Sequence, residues 1–352
     1  VNPKHPAAVT LAQLDAFDQI IDVRSPAEFA LDHIPGAINC PVLDDAERAR
    51  VGVLYAQVSP FDAKKAGAAL VSRNIARHIE ERFREHPKNW RPLVYCWRGG
   101  KRSAAMAHVL HEIGWDAATL EGGYRRYRRE VLAQLEAQPE NLRFTVICGT
   151  TGSGKSRLLA ALAAQGAQAL DLEHLACHRG SVLGDLPGEP QPSQKMFDSR
   201  VWRAITRFDP SQPVYVEAES KRIGQLQVPA RLLERMRSGE CLRLDVPIAE
   251  RVRYLIGEYR HFLEKPAALK ERLQCLTALY GRGVIDRWLL QTDAGAWEEL
   301  VTDLLVTHYD PAYLRATARN YLHYDDARAL PVERLDEAGI GRAAGQALQA
   351  AA

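Results

Sequence analysis

The chain has no CxxC pair and no Cys/His cluster at zinc-ligand spacing. Its six cysteines, at positions 40, 96, 148, 177, 241 and 275, are scattered. That argues against a zinc-finger module and against a small disulfide-stapled fold, and it fits reduced thiols in the cytoplasm. No run of about 18 apolar residues occurs, so no membrane-spanning helix is expected. The beginning, VNPKHPAAVT, lacks an apolar leader segment. An excess of one charge is also missing: 46 Lys and Arg stand against 44 Asp and Glu, a net of +2. Bulk charge therefore does not mark a nucleic-acid binder, and any such surface must be a local patch. There is no internal repeat and no low-complexity tract, and nothing indicates an oligomeric state.

What is present is enough apolar residue for a sizeable core, 46% of 352 residues, which leaves room for two or three domains. QIIDVRSPAEF (19–29) reads as a strand, a turn and a helix opened by Pro26. A brief strand follows the DHIPGAINCP turn (32–41), and residues 44–86 read as helices with charged outer faces. PLVYC (92–96) is the next strand, RSAAMAHVLHEI (102–113) has helical spacing, and AATLEGGY (117–124) is a strand running into a Gly-Gly turn. Alternating β and α elements predict a mostly parallel sheet over 1–130. Residues 131–141 make a connector. A second α/β domain is expected over 142–260, with strands at 143–148, 167–171, 213–220 and 241–247. Residues 261–352 show only helical pattern and end in an Ala/Gln-rich tail expected to fray.

The first chemical signal is GTTGSGKS (149–156), which fits G-x-x-x-x-G-K-[ST] between a strand and a helix. Gly149, Gly152 and Gly154 let the backbone curl so that successive N–H groups, including that of Ser153, point inward. The helix N-terminus adds the positive end of its dipole. Lys155 would reach the outer phosphates, and Ser156 would bind a magnesium ion if one is used. A nucleotide engine also needs a carboxylate near that ion. Asp171, Glu217 and Glu219 are the candidates, and none follows an apolar run in the usual way. A diphosphate ester would satisfy the loop as well as a nucleoside triphosphate.

The second signal is CWRGGKRS (96–103), a cysteine at the end of a buried strand and just before a helix. A ring of inward N–H groups there lowers a thiol pKa. Gly99 and Gly100 permit the φ values of such a cradle. Arg102 would add positive charge at its rim, and Ser103 a hydroxyl. Five residues separate Cys96 from Arg102, a spacing that resembles the loop of cysteine phosphatases, and that resemblance implies a cradle open to a tetrahedral, phosphate-sized group.

DVRSPAEF, DHIPGAIN, YCWRGGKRS and LEGGY resemble, in order, the landmarks of a rhodanese-like sulfurtransferase domain, although the usual loop has four residues between Cys and Arg. Followed by GTTGSGKS, DLEHLACHRGS (171–181), VEAESKRIG (216–224) and HYDPAY (308–313), they closely resemble the tRNA 2-selenouridine synthase family over nearly the whole chain. The resemblance implies a rhodanese-like parallel-sheet domain, then a P-loop α/β domain with a helical C-terminal region. It also implies a two-step change at a wobble 2-thiouridine in the tRNA anticodon loop. Geranyl diphosphate alkylates the sulfur, and selenophosphate then supplies selenium as the geranylthio group leaves. Both donors are substrates, and no tightly bound cofactor is implied.

On that reading Cys96 carries selenium as S-selanylcysteine. Trp97, Arg98, Gly99, Gly100, Lys101, Arg102 and Ser103 cradle its donor, and Gly152 to Ser156 hold the diphosphate. His178 and Arg179 line the donor site, and Gly67 lies near the prenyl path. YRRYRRE (124–130) interleaves Tyr124 and Tyr127 with Arg125, Arg126, Arg128 and Arg129 and is the candidate tRNA surface. Asp22 and Arg24 are expected to pair structurally. A cysteine phosphatase or sulfurtransferase fused to a P-loop small-molecule kinase is the rival reading. The five-residue spacing favours it, and the DLE…HRGS and VEAES segments do not.

Overall fold

The structure is a computed structural model that describes residues 6–180, 184, 186, 188–264 and 266–349. It divides into two compact units, residues 1–134 with 192–203, and residues 135–191 with 204–352.

The first unit is built on a five-stranded parallel sheet: β1 (Ala7–Val9), β2 (Gln19–Asp22), β3 (Ile38–Asn39), β4 (Pro92–Tyr95) and β5 (Ala118–Leu120), in the order β1-β5-β4-β2-β3. β4 is central and wholly buried, as a strand covered on both faces must be. Ile21, Val23, Val94, Met106 and Leu110 form the core beneath it. Arg24 and Asp22 form a buried ion pair at 2.5 Å. Arg24 also donates to the Asp32 carbonyl at 2.6 Å and lies 3.9 Å from the Tyr124 ring centre. The expected structural pair is present.

The sequence places 192–203 in the second domain, but the structure packs this segment onto the first unit. Arg128 bonds Asp198 at 2.5 Å, Ser199 donates to Asp32 at 2.8 Å, and Trp202 meets the Tyr127 ring edge-on at 5.4 Å. A helix so buried on one face belongs with what it touches.

The second unit carries another parallel sheet: β6 (Arg143–Cys148), β7 (Gln168–Leu170), β8 (Pro213–Glu217), and, after a short antiparallel hairpin of β9 (Arg222–Ile223) and β10 (Leu226–Gln227), β11 (Glu240–Asp245) and β12 (Arg328–Pro331). The order is β12-β11-β6-β8-β7, which sets the glycine-loop strand β6 in the middle. β12 corrects the purely helical reading of the C-terminal region. It is a four-residue edge strand containing Pro331, and an edge tolerates the missing N–H. The expected fraying tail is corrected as far as residue 349, and residues 350–352 lie outside the described residues. Helix Glu337–Gln349 turns Ile340, Ala343, Ala344 and Ala347 into the core against Leu158 and Leu162 of helix Lys155–Ala164. Between β11 and β12 in the chain, helical residues from 269 to 309 pack around a fully buried Trp288. No helix among the described residues is long and apolar enough to cross a membrane.

Candidate active sites: a thiol cradle and a phosphate cavity

The thiol cradle forms where β4 ends. Cys96 is buried, at 3% exposure. Its sulfur accepts the Gly100 N–H at 3.3 Å and the Ser103 hydroxyl at 3.2 Å. Burial alone pushes the thiol pKa up. The Ser103 hydroxyl and the backbone N–H groups of Ser103, Gly100 and Arg98 outweigh it, so the net shift is downward. Gly123 follows β5 and its N-terminal turn closes the cradle from behind. Tyr124 N–H donates to the Cys96 carbonyl and Arg125 N–H to the Trp97 carbonyl, both at 2.9 Å. A Cβ on Gly123, at φ +56°, would lie 2.2 Å from that Cys96 carbonyl, and one on Gly99, at φ +64°, would lie 2.7 Å from the Leu120 carbonyl. Close backbone approach therefore requires glycine at both.

Arg102 does not reach into the cradle as an unpaired charge. It bonds Glu28 at 3.3 Å, and Arg48 holds the same carboxylate at 2.8 Å. Burial opposes ionisation of Glu28, but these two guanidinium groups prevail and lower its pKa. The rim is therefore a charge cluster tied by Glu28, a residue the sequence reading missed. Ser25, which caps the helix opened by Pro26, bonds Glu28 across the first helical turn, and that spacing was the available signal. Arg98 and Lys101 are exposed at the cradle's mouth, as is Trp97 at 39%.

The YRRYRRE surface needs correction. Tyr124 and Tyr127 are 4% and 0% exposed, so neither ring can stack a base. Their three-residue spacing points both inward along helix Gly123–Ala137. Arg128 is taken by Asp198 and the Lys195 carbonyl. Arg126 pairs with Glu121 at 2.6 Å. Arg125 and Arg129 are exposed. Gly67 is buried within helix Pro60–His78. It lies where helix Pro60–His78 crosses helix Asp45–Gln57, with Val51 3.5 Å from where its Cβ would stand.

The second site lies at the C-terminal ends of β6, β7 and β8, where open parallel sheets bind ligands. A cavity of about 580 Å³ is lined there by Gly152, Gly154, Lys155 and Ser156, and by residues following β7 and β8. Gly152 and Gly154 have φ of +79° and +77°, and a Cβ on Gly152 would meet Leu255 at 2.8 Å. Ser153 corrects the expected cradle: it is wholly buried, does not line the cavity, and its N–H donates to the Thr150 carbonyl at 3.1 Å. Tyr313 accepts the Gly149 N–H at 2.8 Å, and Lys155 lies 5.2 Å from the centre of that ring. Arg251 donates to the Thr151 carbonyl at 3.1 Å and is itself held by both oxygens of Asp310, at 2.9 and 2.7 Å. Asp310 and Tyr313, from HYDPAY, thus brace the glycine loop at two points. The sequence reading quoted that segment without giving it a task.

Around the cavity, Asp171 caps helix Leu172–Ala176 by accepting the His174 N–H at 2.8 Å. That leaves Glu173, which was not foreseen, to join Glu217 and Glu219. Burial first, and then the Glu217 charge, push Glu173 up to about 8, against the pull of Lys155 and Arg179. Burial raises Glu217 as well, against Lys155 and Ser156. Glu219 is raised well above the carboxylate range by burial and by its two neighbours. His178 is buried and its Nδ1 accepts the Gly180 N–H at 3.0 Å. Arg179 pairs with Glu258 at 3.3 Å. Ser181 of HRGS lies outside the described residues. An apolar slot lined by Leu255, Ile256, Leu300, Val301, Leu304 and Tyr309 adjoins the cavity and shares Thr151, Leu255, Tyr259 and Tyr309 with it.

A nucleophilic thiol in a ring of N–H donors and a glycine-loop phosphate cavity define a rhodanese-like domain joined in one chain to a P-loop domain. The family profiles agree: the rhodanese-like domain matches residues 7–130, and the "tRNA 2-selenouridine synthase AAA domain" matches 142–279. A tRNA 2-selenouridine synthase of Alcanivorax borkumensis is 34% identical over 326 residues, covering 84% of this chain and 88% of that protein. One of Nitrosomonas europaea is 35% identical over 262 residues, 72% of this chain and 66% of that protein. One of Marinobacter nauticus is 38% identical over 246 residues, 68% and 65% respectively. The match thus spans about two thirds of the length of the latter two relatives. The chain belongs to the tRNA 2-selenouridine synthase family, a family of enzymes.

Proposed function

We propose that this chain converts a wobble 2-thiouridine of tRNA to 2-selenouridine through an S-geranylated base. The observation that carries the reading is the apolar slot alongside the glycine-loop cavity. A prenyl diphosphate would use both, its chain against the apolar slot and its diphosphate in the glycine loop. In the first step the C1–O bond of geranyl diphosphate breaks and a C1–S bond forms to the base, whose N3 proton leaves. The departing diphosphate is stabilised by the N–H groups of Gly152, Gly154, Lys155 and Ser156 and by the Lys155 ammonium.

In the second step a C2–Se bond forms, the C2–S bond breaks and geranylthiol leaves. Selenophosphate is consumed with water, and its phosphoryl group ends as phosphate. Cys96 supplies the thiolate at which the selenium donor is received in this step, favoured by the lowered thiol pKa. Trp97, exposed at the cradle mouth, is the aromatic on which the target base stacks, and Arg125 and Arg129 contact RNA phosphates.

Transfer of labelled geranyl from geranyl diphosphate to RNA tests the reading. Label should enter a 2-thiouridine anticodon stem-loop and not its plain-uridine counterpart. No label in either RNA contradicts it.

A further inference from the structure

Three carboxylates meet beside the glycine loop. Glu173, Glu217 and Glu219 each offer an oxygen, and those oxygens all lie within 4.8 Å of one another. Glu217 and Glu219 are only 4% and 8% exposed. Anions this close and this buried require a neutralising partner. Lys155 lines the same cavity and pulls on all three, but a single ammonium, which also donates to the Gly149 carbonyl at 2.9 Å, does not balance three carboxylates.

Two independent features point to a ligand. Glu217 Oε1 is buried and has no hydrogen-bond partner, an expensive condition for a carboxylate oxygen. Gly180, at φ +68°, brings backbone against the cluster without placing a carbon among the oxygens. A Cβ there would stand 2.5 Å from Glu173 Oε1 and 3.5 Å from Glu219 Oε2. Ser156 lines the same cavity, and its side chain favours the ionised form of the Glu217 carboxylate.

Three carboxylates and a hydroxyl form an all-oxygen set. That is the donor chemistry of a hard divalent cation such as magnesium or manganese, whereas zinc favours nitrogen and sulfur. A glycine-loop site commonly uses its hydroxyl and one carboxylate. Here residues following β7 and β8 supply two more. The geometry points to a divalent-cation site formed directly by Glu173, Glu217 and Glu219, with Ser156 beside it, in which the cation bridges the carboxylates to a phosphate held by the glycine loop. The bridging part rests on the proposed diphosphate site, and the cation site does not.

The test is a manganese titration of the full chain, read by electron paramagnetic resonance of free Mn²⁺, with and without inorganic diphosphate. One Mn²⁺ per chain is expected, bound more tightly when diphosphate is present. Glu217→Gln and Glu219→Gln should each weaken it by about tenfold or more. Thermal unfolding in magnesium separates this from misfolding. The glutamine variants lose like-charge repulsion, so without metal they should melt no lower than the parent chain. They should also lack the upward shift that magnesium gives the parent. No Mn²⁺ binding by the parent chain in either condition overturns the site, as does unchanged binding in both variants. Mn²⁺ binding that ignores diphosphate keeps the cation site and removes the bridging phosphate.

Discussion

The Ser103 hydroxyl donates to the Cys96 sulfur at 3.2 Å, from the first turn of helix Lys101–Ile113. It is the largest of the contributions that pull the thiol down against burial. Ser103→Ala should therefore raise the Cys96 pKa and slow its alkylation by iodoacetamide near neutral pH by about three- to tenfold. The linkage has a definite sign. A thiol depressed in the fold binds fewer protons folded than unfolded, so it stabilises fully above its unfolded pKa. That stability is lost as pH falls through the folded pKa. Ser103→Ala should flatten this slope in denaturant-unfolding measurements, and an unchanged alkylation profile would remove Ser103 from the account.

The two sites divide the chemistry, so their variants should fail differently. Cys96→Ala should let geranylated base accumulate and stop selenation. Lys155→Ala should stop geranylation while the Cys96 thiol remains as reactive toward iodoacetamide as in the parent chain. Nucleoside and intact-protein mass spectrometry read both. Full selenation by Cys96→Ala would remove Cys96 from the selenium step.

Arg251 and Asp310 brace the glycine loop through a largely buried pair. Asp310→Asn keeps the shape and removes the charge opposite Arg251. It should cost about 3 kcal/mol in urea unfolding. Tyr313→Phe leaves the Gly149 N–H without its acceptor and should cost about 1–3 kcal/mol. Both should reduce geranyl transfer more than Cys96 alkylation.

The arginines of YRRYRRE should separate by role. Arg128→Ala leaves Asp198 short of its charged partner and should cost about 2 kcal/mol of stability. Arg125→Ala and Arg129→Ala should leave stability unchanged. Each should weaken tRNA binding and reduce the slope of log affinity against log salt by about 1. Salt slopes that do not move would place the RNA surface elsewhere.

The alternating β and α pattern, the parallel sheets and both chemical loops were legible in the sequence because period, glycine placement and motif spacing are local. Other features were not, because they depend on partners far along the chain. Tyr124 and Tyr127 look like a stacking ladder until Arg24 and Trp202 are seen against them. Asp171 and Glu173 are two residues apart and chemically alike. Only the helix that starts between them makes one a cap and turns the other toward Glu217. β12 is four residues with a proline, and only its pairing with β11 marks it as a strand.

The most direct measurement is a time course of nucleoside masses from 2-thiouridine tRNA incubated with the chain, geranyl diphosphate and selenophosphate, with no nucleotide added. The account predicts a geranyl mass gain that rises and then gives way to 2-selenouridine. An unchanged base that begins to react only when ATP is supplied would contradict it, and would make the glycine loop a nucleotide engine.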